Sequence, residues 1–162
     1  MSDIARHLED PGQSGLFTRL ARVGLLLDAF QHRCLDEHGL RFVDFSVLRV
    51  LDIGGELSPS ELAEFTLRST GGMTQIVDRL ASAGLVGRTP DMSDRRRVVV
   101  GLTPKGRRLV DKAQTTYARE RARVLGPLTD RELAEVDHAV RRLLTLLSDD
   151  AALSATADEA AS

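Results

Sequence analysis

The chain has 162 residues, 42% of them hydrophobic and 28% charged, enough for one domain with a helical extension and ordinary for a globular protein. No apolar run approaches the roughly 18 residues that cross a bilayer, and the N-terminus lacks a signal-peptide layout, so a cytoplasmic location without membrane contact is expected. A single cysteine, Cys34, excludes an internal disulfide framework and a cysteine-rich zinc site. The net charge of −2 is uneven: Arg88 to Arg108 holds seven basic residues against Asp91 and Asp94, a net of +5, which leaves −7 for the remainder. An acidic body with one basic strip suits docking on DNA in one orientation.

Residues 1–13, with Pro11 and Gly12, read as a flexible arm. A helix follows, with Leu16, Leu20, Val23, Leu27, Phe30 and Cys34 spaced 4, 3, 4, 3, 4, the repeat of a helix lying along another helix. Gly39 marks its end. A second helix spans about Val43 to Asp52, with Val47, Leu48, Val50 and Leu51 as its core face, and Gly54-Gly55 breaks it. Glu56-Leu57 is long enough only for a one-rung strand against a later hairpin.

Ser58-Pro59-Ser60-Glu61 predicts a capped helix start. The Ser58 hydroxyl can accept from the Glu61 amide while the Glu61 carboxylate reaches back, and proline at the first helical position loses no bond. This short helix ends near Phe65 or Thr66. Ser69 or Thr70 caps the next, whose Met73, Ile76, Val77 and Leu80 fall at i, i+3, i+4 and i+7 as a buried face, and Gly84 ends it. Val86–Thr89, a loop from Pro90 to Arg96, and Arg97–Leu102 predict a β-hairpin. Thr103-Pro104 opens a long helix to about Leu125, stopped by Gly126-Pro127. Thr129 and Glu132 form a second capping box, before a stripe of Leu133, Val136, Val140, Leu143 and Leu147. Beyond Asp149 the composition is Ala, Ser and acid, read as a disordered tail over 149–162.

A helix-turn-helix followed by a basic hairpin is a winged helix, expected over 41–103. The flanking segments 14–40 and 104–148 are expected to form a dimerisation domain. The fold class is therefore mainly α with a small β-wing. An α-helix fits the major groove, where its first turns reach base edges. Here those turns offer Ser69, Thr70, Gly71, Thr74 and Gln75, with Arg79 further along. Thr70 and Thr74 can bond phosphate or base edges, and Gln75 has the donor–acceptor pair that suits adenine. Gly71 and Gly72 either let the backbone approach DNA or shape a tight turn between helices. The hairpin tip, Asp94-Arg95-Arg96-Arg97, can enter a minor groove, with Asp94 holding an arginine in one rotamer.

From about Leu16 to Leu147 the chain resembles the MarR family of bacterial winged-helix regulators. The likeness is carried by Ser60-Glu61-Leu62-Ala63, Thr70-Gly71-Gly72-Met73-Thr74, Asp78-Arg79-Leu80, Gly84-Leu85-Val86, Asp94-Arg95-Arg96 and Val100-Gly101-Leu102-Thr103. It implies a homodimer with interlocked terminal helices on a pseudo-palindromic operator in double-stranded DNA. It also implies a wing in which Asp94 and Arg96 match the family's Asp-x-Arg. The Gly71-Gly72 pair with Gln75 departs from the commoner Ser-Thr-Val-Thr. Many members of the family are released by a small phenolic or carboxylate-bearing effector. His38, Arg41, Phe42 and Phe45 lie near the interhelical corner and could line such a site, or could be ordinary corner and core residues. Some members sense peroxide through a first-helix cysteine, but Cys34 on an apolar stripe reads equally as a small buried hydrophobe.

The expected function is a transcriptional regulator acting as a repressor. A winged helix used for protein contact is the alternative, weakened because the exposed helix face lacks aromatic or leucine anchors. An enzyme is not expected: His7, His32, His38 and His138 are scattered, and neither a cofactor motif nor a metal-ligand spacing is present.

Overall fold

The computed structural model describes residues 13–66, 69–92 and 97–160, except that the side chains of 13, 14, 70 and 151–160 are not described. In chain order it contains α1 (Gln13–Leu35), a 3-10 turn (Asp36–His38), α2 (Phe42–Gly54), α3 (Pro59–Phe65), α4 (Thr70–Ser82), β1 (Val86–Pro90), β2 (Val98–Leu102), α5 (Pro104–Leu125) and α6 (Asp130–Ala160). The chain divides into two compact units, Met1–Arg119 and Glu120–Ser162.

The first unit holds the winged helix-turn-helix. The Ser58 capping box forms in both directions, with Glu61 Oε2 accepting from the Ser58 amide at 2.7 Å and Pro59 at the helix start. Ser69, not Thr70, caps α4 by accepting from the Gly72 amide at 3.3 Å. Met73, Ile76, Val77 and Leu80 of α4 are buried, against Leu62 and Ala63 of α3 and Val47, Leu48 and Leu51 of α2 in one core. Truncating a side chain of this kind costs about 2–5 kcal/mol, so this packing sets the angle between α3 and α4.

At the end of α4, Gly84 adopts φ 69. Its amide donates to the Ala81 carbonyl at 2.8 Å and the Leu85 amide to the Leu80 carbonyl at 2.9 Å. This paired closure needs the left-handed residue that glycine supplies without steric penalty. The chain then enters a two-stranded antiparallel sheet, with Val86 opposite Leu102 and Pro90 opposite Val98. Leu57 adds the single rung expected from the sequence: its amide donates to the Val100 carbonyl at 3.0 Å, and Val100 returns the bond at 2.8 Å.

Thr103 turns the chain into α5, its hydroxyl accepting from the Gly106 amide at 3.0 Å and donating to the Gly84 carbonyl at 2.8 Å. Gly106 packs so closely that a Cβ there would lie 2.0 Å from the Leu85 carbonyl oxygen. The glycine of Thr103-Pro104-Lys105-Gly106 is thus a contact requirement between α5 and the end of α4.

Two expectations need revision. The seven-residue stripe on α1 is divided: Cys34 is buried and Phe30 packs on the core, whereas Leu16, Val23 and Leu27 are exposed. The last turn of α1, together with Val110 and Ala113 of α5, belongs to the winged-helix core. The compact unit therefore includes residues that the sequence division assigns to a separate dimerisation domain. The second change is at the C-terminus, where α6 continues through Asp149 to Ala160 instead of giving way to a disordered tail. The segment has no Gly or Pro to stop a helix, and Ala and Leu propagate one readily. Within the second unit, Leu133, Val136, Val140, Leu144 and Leu147 are exposed in the single chain. No described helix is long and apolar enough to cross a membrane.

Candidate nucleic-acid interface

The exposed face of α4 is built by subtraction. With Met73, Ile76, Val77 and Leu80 facing inward, helical geometry turns Gly71, Thr74, Gln75, Asp78 and Arg79 outward, and all five are exposed. Ser69, also exposed, is occupied in capping. The Thr70 backbone opens the helix. Of the two glycines, Gly72 would place a Cβ 3.2 Å from the Ser69 hydroxyl, while Gly71 would meet nothing within 4 Å among the described residues. Gly71 has no positive φ either. A tight turn thus gives a reason for neither the space nor the dihedral at Gly71.

The C-terminal part of this face is fixed by ion pairs. Arg79 donates from a terminal guanidinium nitrogen to Asp44 of α2, and Arg88 of β1 donates to Asp78 at 2.5 Å. Arg79, expected as a DNA contact, is in this structure a partner of a buried carboxylate. Asp44 was not a candidate from sequence. It lies in the first turn of α2, where the helix dipole favours negative charge, and its side chain is 8% exposed. It also accepts from Arg41 Nε at 3.2 Å. The i, i+3 spacing of Arg41 and Asp44 was legible, but the pairing across 35 residues was not.

Other basic residues of the strip have partners as well. Lys105 donates to the Ala83 carbonyl at 2.8 Å, at the C-terminal end of α4, where a cation complements the helix dipole. Arg107 reaches Asp52 at 3.3 Å. The expected +5 strip therefore includes cations that also hold the fold. Asp94, Arg95 and Arg96 lie outside the described residues. Arg97 is exposed at the base of the wing, and its carbonyl accepts from the Asp91 amide at 2.9 Å. The Glu61 carboxyl is held below its ordinary 4.5, first by the hydrogen bonds from the Ser58 side chain and backbone and then, more weakly, by the positive charge of Arg97.

Of the four residues considered for an effector, Phe42 and Phe45 both meet Tyr117 and His38 meets the neighbouring Thr116, while Arg41 pairs with Asp44. His38 Nε2 sits 3.1 Å from the Thr116 hydroxyl, which donates to Glu37 at 3.0 Å. Phe42 and Phe45 of α2 meet Tyr117 of α5 with ring centroids 6.3 and 5.4 Å apart, and Phe30 joins at 5.6 Å. Phe45 is a core residue, while Arg41 and Phe42 remain exposed. Tyr117 and Thr116 are the members of this corner that sequence reading missed, because α5 returns to it from far along the chain. Cys34 is 2% exposed, packed as a small hydrophobe. No cluster of three metal-binding side chains occurs among the described residues.

A three-helix core, a helix-turn-helix and an antiparallel wing define a winged helix-turn-helix protein. Residues 38–97 match the MarR family. An HTH-type transcriptional repressor of Mycobacterium tuberculosis is 32% identical over 124 residues, 76% of this chain and 89% of the relative. The regulator PecS of Dickeya dadantii is 28% identical over 116 residues, 70% of each protein. Among solved structures, a MarR mutant from E. coli complexed with operator DNA superposes with TM-score 0.73 at 25% identity, covering 80% of this chain and 93% of that one. CouR from Rhodococcus jostii, bound to p-coumaroyl-CoA, gives TM-score 0.74 at 27% identity, covering 84% and 93%. The chain belongs to the MarR family.

Proposed function

We propose that the protein is a cytoplasmic, homodimeric transcriptional repressor that binds a pseudo-palindromic site in duplex DNA and leaves it on binding an aromatic or carboxylate-bearing effector. The observation that carries the DNA reading is the exposed, small-residue start of α4, with Gly71, Thr74 and Gln75 on its outward face. This surface lacks the large apolar anchors of a protein-docking hot spot and has the hydroxyl and amide groups that base edges require. The relative solved with operator DNA supports the same reading. The effector reading rests on the corner where exposed Phe42 meets Tyr117, and on the relative that binds p-coumaroyl-CoA. Burial of Cys34 favours effector release over thiol oxidation, since a sensor thiolate must be accessible.

The direct test is binding to a duplex from upstream of the protein's own gene. Specific affinity of about 10⁻⁸ M or tighter, falling steeply with salt, is the expected result, and affinity no better than for random DNA defeats the proposal. Arg96→Ala should abolish the tight binding and leave the sedimentation of the dimer unchanged. Unaltered affinity would remove Arg96 from the wing's role.

A further inference from the structure

The outward face of α4 carries two stripes at i, i+4 spacing, Gly71-Gln75-Arg79 and Thr74-Asp78. Each stripe ends in an ion pair to a different element. Arg79 goes to Asp44 on α2 and Asp78 to Arg88 on β1. Successive residues on a helix point about 100° apart, so two ties at Asp78 and Arg79 resist rotation of α4 about its axis in both senses. The polarities are opposite, with the helix supplying the cation to one side and the anion to the other. Neither tie can slip to the other side without placing like charges together.

Asp44 is an unusual choice if its role were stability alone. Its side chain is 8% exposed and accepts from both Arg41 and Arg79. A well-packed apolar residue often stabilises such a position as well as an ion pair does, whereas a buried carboxylate demands that its guanidinium partner be in place. The planar fork of arginine then fixes direction as well as distance. Asp44 itself is unsuited to touching DNA, being buried and anionic.

We infer that Asp44 and Arg79 form a strut that sets the rotation of the recognition helix, so that Arg79 positions Gly71 and Gln75 for base readout and does not itself contact DNA. The inference rests on the DNA-binding reading. Asp44 is a positioning residue and acts through α4.

The test uses the full-length protein and a duplex enriched by the wild type from a random-sequence library. Failure of the wild type to enrich any sequence overturns the DNA-binding reading and the strut with it. Given an enriched duplex, Asp44→Asn and Arg79→Gln are each expected to lower affinity for it about tenfold, the worth of roughly one base contact. The double variant should be no worse than either single one, because the two residues act as a unit. Affinity for random duplex and the slope of log K against log salt should both stay at wild-type values. A lost phosphate contact would instead flatten that slope by about 0.9 for Arg79→Gln, and that result overturns the inference. Enriched-duplex affinity within twofold of wild type for either folded single variant does so too. Circular dichroism at the assay temperature identifies the folded variants, and if Asp44→Asn does not fold, Arg79→Gln, at a 41% exposed side chain, carries the test.

Discussion

At the scale of single residues, Gly71 and Gly106 illustrate two different reasons for a glycine. Gly106 is required by the fold, because the Leu85 carbonyl occupies the place of a Cβ. Among the described residues, nothing within 4 Å requires a glycine at Gly71. Glycine is a poorer helix former than alanine by up to about 1 kcal/mol, so the chain gives up stability at Gly71 without an intramolecular return. On the proposed DNA-binding reading, close approach of DNA to the start of α4 supplies the missing reason. Gly71→Ala is therefore expected to raise thermal stability by up to about 1 kcal/mol and to weaken DNA binding at the same time. Calorimetric melting and a duplex titration on one preparation check the pair of signs. A variant that is more stable and binds equally well would leave Gly71 without a DNA role.

At the scale of elements, the helix starts carry the clearest signals. The Ser58 and Thr129 capping boxes both form as their spacing predicts, and in both the carboxylate is held below its ordinary value by hydrogen bonds. For Glu61 the first cause is the Ser58 hydroxyl and for Glu132 the Thr129 amide. A carboxyl whose folded value is depressed binds fewer protons folded than unfolded. Its contribution to stability is present above the unfolded value and is lost as pH falls through the folded one. Glu61→Gln should thus destabilise the protein near neutral pH, and its deficit should shrink as pH drops from about 7 to about 3. Urea unfolding of both forms across that range measures it, and a deficit independent of pH would mean that the charge of Glu61 contributes nothing. The hairpin was equally legible, since Val98 to Leu102 alternate and even the lone Leu57 rung follows from its position. The extent of α6 was not legible, because acid and serine content suggested disorder while helix propensity won.

At the scale of the whole molecule, the apolar residues left exposed on α1 and α6 support the proposed homodimer. Leu16, Val23 and Leu27 on α1 and Leu133, Val136, Val140 and Leu147 on α6 follow helical stripes, a periodicity that solvent alone does not select. Val140→Glu places a charge within the α6 stripe and is expected to yield a monomer by sedimentation. Operator affinity should then fall to that of a single half-site, since two recognition helices one turn of duplex apart bind as a pair. A dimer that persists with Val140→Glu would mean that this stripe is not the interface.

The sequence by itself determined the order of elements, the Ser58 and Thr129 caps, the hairpin and the inward face of α4. These depend on residues within a few positions of each other, whose geometry the backbone fixes at 3.6 or 2 residues per repeat. It also located the exposed start of the recognition helix at Gly71, Thr74 and Gln75. Only the tertiary structure decided how the charges are used. Arg79 finds Asp44 across 35 residues, Arg107 finds Asp52 across 55, and Tyr117 gathers three phenylalanines from α1 and α2. An arginine reads the same in sequence whether its guanidinium faces a phosphate or a carboxylate of its own chain. Packing brings the carboxylate within reach, and so it is the fold that assigns Arg79 to Asp44.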